Sequence, residues 1–202
     1  MTERYYGLKI FVGTGRRLNT YEIPIELLIF GDFMACEIFD AVPRSDGVSY
    51  QCRPDDFIGS IAAKMACEIE RNRPENVVVL AGNQDAIMGM QPEEYDFHIA
   101  MMGQIVQSLN VPLTLVVPLP CGDPTVEQRL IDYRRLLRKV ERQETIQLLD
   151  LYEMEIEEME DNCGEKVTKL QFMRQYYENK IHLNKDGKEA MCQRVYEYFW
   201  GA

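Results

Sequence analysis

The stretch Leu27-Leu28-Ile29-Phe30-Gly31-Asp32-Phe33-Met34-Ala35 decides how the chain is read. Four apolar residues end at Gly31-Asp32, and a helical pattern follows. A buried parallel strand looks like this where it delivers a side chain to the top of a sheet. An enzyme built on this plan would carry its nucleophile just after the Gly-Asp turn. The residue there is Phe33, which has no nucleophilic atom.

Outward from this stretch the pattern repeats. Apolar runs at 27–30, 48–52, 77–81, 113–117 and 146–149 predict strands. Helical spacing predicts helices over 33–41, 57–72, 93–109, 125–143 and 184–199. Strands separated by amphipathic helices give right-handed βαβ units. The expected fold is a three-layer α/β/α sandwich around a five-stranded parallel sheet. Asn110-Val111-Pro112 ends the third helix ahead of the fourth strand, because the residue before proline is pushed out of helical geometry. Residues 1–26 read as an N-terminal extension packed on the domain, and 27–202 as the domain itself. Within the extension, Gly13-Thr14-Gly15-Arg16-Arg17 reads as a plain turn, since no helix follows to complete a phosphate cradle.

The length of 202 residues suits one domain with a full core. No apolar run approaches the roughly 18 residues of a membrane span. Met1–Tyr6 lacks the apolar stretch of a signal peptide, so an intracellular location, cytoplasmic or nuclear, is expected. Six cysteines (36, 52, 67, 121, 163 and 192) show no paired metal-ligand spacing and no nearby histidine pair. Neither a metal nor another cofactor is expected, nor a disulfide framework. The net charge of −11 weighs against indiscriminate nucleic-acid binding. That charge is concentrated. Leu151–Glu165 holds seven acids and no base, and elsewhere 22 bases face 26 acids.

In parallel sheets, working residues gather past the strand ends. Those positions here are Gly31-Asp32-Phe33, Arg53-Pro54-Asp55-Asp56, Gly82-Asn83-Gln84-Asp85 and Pro118–Asp123, with Ile181-His182-Leu183-Asn184 before the last helix. The set resembles the SGNH (GDSL) hydrolase family of esterases and lipases over about residues 27–199. Val77–Asp85 is similar to the family's third block, and Ile181–Asn184 with Lys185–Met191 to its last.

The resemblance implies where a catalytic set would stand, and the residues depart from it. The nucleophilic serine's place, after Asp32, holds Phe33. The oxyanion-stabilising asparagine's place, between Gly82 and Asp85, holds Gln84. The acid that orients the catalytic histidine would lie three residues before it, where Asn179 stands. The glycine of the second block has no clear counterpart around Cys52–Asp56. Only His182 matches. A serine hydrolase needs an oxygen beside a base and a third group to orient that base. An amide in place of the orienting acid costs about 10⁴ in turnover in a serine protease, and one lost oxyanion donor about 10²–10³. These losses lead to a degenerate, non-catalytic member acting as a protein-interaction or scaffold module.

Two other readings follow from specific residues. In the helix over 125–143, Leu130, Tyr133, Leu137 and Val140 form an apolar stripe, while Arg134, Arg135, Arg138, Lys139 and Arg142 concentrate positive charge. A solvated charged face explains this, and so does a surface for RNA or an acidic partner. Non-catalytic SGNH-like domains associated with RNA, such as the OSK domain of Oskar, give that alternative a precedent within the resemblance. The other alternative is an atypical esterase using Cys36 as a displaced nucleophile for His182. The acidic Met154–Asn162 reads as a solvated loop or exposed helix, and His98 as a surface or packing residue. Exposure of Trp200 would favour a docking site.

Overall fold

The computed structural model describes residues 25–39, 47–140 and 146–201. Strands β1 (Leu27–Gly31), β2 (Val48–Cys52), β3 (Asn76–Leu80), β4 (Leu113–Val116) and β5 (Ile146–Leu149) form one sheet. Its order is β2-β1-β3-β4-β5 and every pairing is parallel. The order reverses at β1, and such a switch point opens a crevice at the strand ends. Gly31 pairs with Cys52 on one side and Leu80 on the other, so the turns after β1, β2 and β3 lie side by side.

Strand alternation divides the core into two layers. Leu28, Phe30, Val77, Val79, Leu113 and Leu115 face α2 (Ile58–Asn72), α4 (Pro92–Leu109) and α5 (Pro124–Val140). Leu27, Ile29, Val78, Leu80 and Val116 face α1 (Phe33–Phe39), α6 (Leu151–Cys163), α7 (Lys169–Tyr176) and α8 (Lys185–Trp200). This is the expected three-layer sandwich. Leu130, Tyr133 and Leu137 are buried along α5, and Tyr133 stacks on Tyr95 of α4 with ring centroids 4.0 Å apart.

Three helices lie outside the five that helical spacing predicts, one of them over the acidic run for which an exposed helix is one of two expectations. The first, α3 (Asn83–Met88), is too short for helical periodicity to register. It begins from Gly82, whose φ of 123° belongs to the region glycine adopts without strain. The other two are α6 and α7. The acidic run Met154–Asn162 lies within α6, and it is not wholly solvated. Glu155 is buried and accepts hydrogen bonds from Tyr176 Oη at 2.5 Å and Arg194 Nε at 2.8 Å, which ties α6 to α7 and α8. A carboxylate with two such partners can stand inside a core that would reject it alone. The proposed extension, with its Gly13–Arg17 turn, falls almost wholly outside the described residues, as do Asp40, Ala41 and Arg142 from the ends of two expected helices.

Gly31 is required by packing. A Cβ there would overlap Ala35 Cβ and come within 2.6 Å of Leu80 O, so α1 can cross so close to the sheet only over a bare Cα. Gly31→Ala is therefore expected to lower unfolding free energy by about 1–3 kcal/mol, as overpacking does. Gly164→Ala, at φ 71° in open space, should cost no more than about 1 kcal/mol. Urea denaturation of the two variants checks the contrast.

Candidate functional site

The turns after β1 and β3 are joined by one carboxylate. Asp32 is fully buried and accepts the backbone N–H groups of Met34 at 2.9 Å, Gln84 at 3.0 Å and Gly82 at 3.2 Å. It thereby satisfies N–H groups at the starts of both α1 and α3. Asp85 does the same for α2 by accepting Ile58 N–H at 3.0 Å. Burial raises the Asp32 carboxyl to about 6 against the pull of its amide donors. It raises Asp85 to about 7, with the nearby Asp32 adding to the rise. Asn83 is also buried, donating from Nδ2 to Leu119 O at 2.9 Å, and its Oδ1 has no partner among the described residues.

Phe33, at the position of the expected nucleophile, is 9% exposed and packed into the core layer of α1. Its ring meets His182 edge-on, with centroids 5.4 Å apart and planes at 66°. The structure thus brings residues 33 and 182 together across the cleft. At the position where the resemblance implies a nucleophile there is a hydrocarbon ring.

His182 has an acidic partner that the sequence reading missed. Its Nδ1 lies 2.6 Å from Glu37 Oε1, and Glu37 Oε2 accepts Leu183 N–H at 3.0 Å. Glu37 follows Phe33 by four residues on α1, and side chains at that spacing share a helix face. That spacing was the available signal. The expectation that loss of the acid at 179 leaves the histidine without an orienting group is therefore corrected: α1 supplies one. Asn179 Oδ1 instead accepts the backbone N–H groups of Ile181 and His182 at 2.8 and 2.9 Å, a local turn that short amide side chains favour.

The remaining candidates divide. Gln84 is half-buried at the start of α3, and its backbone N–H is committed to Asp32. Cys36 is half-buried on α1, but the partner that the structure gives His182 is Glu37. Cys52, at the end of β2, has its thiol pushed up by burial and so is a poor nucleophile. His98 packs its ring over Gly59. The basic set is not a single surface. Arg134 is mostly buried, donating to Pro118 O at 3.0 Å and to Glu127 at 3.1 Å, and its place in a partner-binding group is corrected to a structural one. Arg135 is exposed and pairs with Asp132, while Arg138 and Lys139 are exposed. Arg142 lies outside the described residues.

Two pockets of about 580 and 470 Å³ occur among the described residues. One lies between α6 and α7 beside Met159 and Arg174, the other beside Ile69 and Leu109, and neither is lined by Phe33, Gln84 or His182. Among the described residues no cluster of three or more His, Cys, Asp or Glu side chains is placed to hold a metal ion. No helix among them is long and apolar enough to cross a membrane.

No model of a known protein family and no curated protein matches the sequence. Solved structures do. A candidate acylhydrolase from Bacteroides fragilis superimposes with a TM-score of 0.68 at 13% identity, covering 86% of this chain and 85% of its own. A GDSL-like lipase from Bacteroides thetaiotaomicron gives 0.67 at 13% identity, covering 86% of each chain. A catalytic mutant of the acetylxylan esterase Axe2 from Geobacillus stearothermophilus gives 0.63 at 12%, covering 90% of this chain and 97% of its own. The chain has the α/β fold of GDSL/SGNH-like hydrolases.

The buried carboxyls make stability depend on pH. An unfolded aspartate releases its proton near 3.9, whereas Asp32 and Asp85 hold theirs to about 6 and about 7. The native state therefore binds more protons between these limits, and stability falls as pH rises. The contribution is complete below about pH 4 and lost as pH passes through the two native values. Urea unfolding should give a free energy higher at pH 5.5 than at pH 7.5 by about 1 kcal/mol or more. Asp85→Asn keeps an acceptor for Ile58 and should flatten the slope; an unchanged slope contradicts the assignment.

Proposed function

We propose that the chain is a catalytically inactive SGNH-hydrolase-like domain that works as a protein-interaction or scaffold module. The observation that carries this reading is Phe33, buried after the Gly31-Asp32 turn with its ring against His182. Acyl transfer in a serine hydrolase begins with an oxygen attacking a carbonyl carbon, and the phenyl ring both lacks the oxygen and fills the space where that carbon would sit. Two of the similar structures are catalytic mutants of an acetylxylan esterase in which a serine or a histidine is replaced by alanine. In that protein both residue types matter to catalysis; the resemblance implies His182 as the place of such a histidine and residue 33, a phenylalanine here, as the place of such a serine.

Support for an interaction role comes from the exposed large apolar side chains. Trp200 and Tyr198 stand 42% and 37% exposed at the end of α8, and Leu170 and Phe97 are more than half exposed. Aromatic side chains that keep a polar atom at the surface are favoured in protein contacts. The exposed Arg135, Arg138 and Lys139 support the second reading, an RNA-binding surface at the end of α5.

The two readings separate in a native-cell pull-down run with and without nuclease. The scaffold reading expects the same proteins in both arms and at least about a fivefold lower recovery with Trp200→Ala and Tyr198→Ala combined, near the cost expected for a contact worth about 1 kcal/mol. Recovery that disappears with nuclease and with charge reversal at Arg135 and Arg138 moves the function to RNA. Labelling of the wild-type chain by a fluorophosphonate would contradict the inactive reading.

A further inference from the structure

We infer that His182 and Glu37 form an intact, relocated base pair, with Glu37 as the positioning residue, so that base and orienting acid are both in place beside position 33. The inference rests on the reading that Phe33 is what silences the site. It assigns Glu37 a role that the motif positions do not indicate, since the acid comes from α1 and not from the loop that carries the histidine.

Four observations place the pair. Glu37 Oε1 lies 2.6 Å from Nδ1, as close as the short hydrogen bonds that ionised partners make. The second carboxylate oxygen is held by Leu183 N–H at 3.0 Å, so the group is clamped from two sides and only 16% of the side chain is exposed. The histidine backbone is fixed separately, by Asn179 Oδ1 on its own N–H at 2.9 Å. The ring itself lies against residue 33. A carboxylate on Nδ1 selects the tautomer that carries its proton there and leaves Nε2 as the free acceptor, the arrangement a general base requires. Glu37 and residue 33 share a face of one helix, so base, orienting acid and nucleophile position are held by α1 and the loop before α8.

The chemistry follows for a Phe33→Ser variant. The introduced hydroxyl oxygen bonds to the carbonyl carbon of an ester while its proton passes to Nε2 and the carbonyl π pair moves onto oxygen. Collapse of that adduct breaks the bond to the leaving alkoxide, which takes the proton from His182 and departs as the alcohol. Water then repeats the sequence on the acyl group, releasing the acid and restoring the hydroxyl. Glu37 keeps its charge throughout and stabilises the transient imidazolium.

Nitrogen NMR of the wild-type protein tests the pairing without any change to the core. The His182 ring is expected as the Nδ1-protonated neutral tautomer, and Glu37→Gln is expected to shift that population. An Nε2-protonated ring in the wild type overturns the inference. The second arm measures hydrolysis of p-nitrophenyl acetate. Phe33→Ser should exceed the wild-type rate by at least about tenfold, and adding Glu37→Gln should remove at least about tenfold of kcat with little change in KM, in the direction of the large loss seen when an orienting acid becomes an amide. In a Phe33→Ser, Asn179→Asp background, Glu37→Gln should still remove at least about tenfold of kcat, because residue 179 spends its oxygen on two backbone N–H groups. A folded Phe33→Ser protein with no gain, or one rescued by Asn179→Asp and indifferent to Glu37, overturns the assignment. If Phe33→Ser does not fold, the tautomer decides alone. Fluorophosphonate labelling of the wild type would remove the inactive reading and leave the tautomer result standing.

Discussion

The carboxylate of Asp32 is the constraint on which the cleft depends. Three backbone N–H groups from two different turns converge on it inside the core, where each would otherwise go unsatisfied. That convergence fixes the start of α1 relative to the start of α3, and so the position of residue 33 relative to Gly82 and Gln84. Gly31 allows α1 to lie close over β3, and Asp85 continues the arrangement to α2. None of these contacts performs chemistry. They build the platform on which residues 33 and 182 meet.

On the proposed reading, this separation lets the cleft keep its shape with no nucleophile at position 33. Phe33 adds apolar surface to a layer already formed by Met34, Ile38 and Leu183, and burial of a phenylalanine side chain is worth about 1.5–3 kcal/mol. A serine there would contribute little to that layer. A residue under no demand to attack a carbonyl is free to become part of the core. His182 and Glu37 carry a polar contact between α1 and the loop before α8, which gives the pair a structural reason to remain.

The sheet was legible because continuous apolar runs such as Val77–Ala81 have no other stable place than a strand covered on both faces. The main helices were legible because stripes such as Leu130, Tyr133 and Leu137 repeat at helical spacing. What was not legible had physical causes. Six residues of α3 are too few to show a period. The acids of α6 hid an inward Glu155 whose partners, Tyr176 and Arg194, lie far along the chain. Arg134 looked like its exposed neighbours until Pro118 O and Glu127 were brought beneath it by the fold. The acid for His182 stood 145 positions away in sequence, so a motif search limited to the loop around Asn179 could not reach it.

The central claim is that the hydrolase scaffold remains while its native chemistry has been switched off at Phe33. The most direct measurement is the rate at which the purified wild-type chain turns over short-chain p-nitrophenyl esters, compared with His182→Ala. The account predicts equal rates, both at the level of the uncatalysed reaction. A wild-type rate above that level, abolished by His182→Ala, would contradict it.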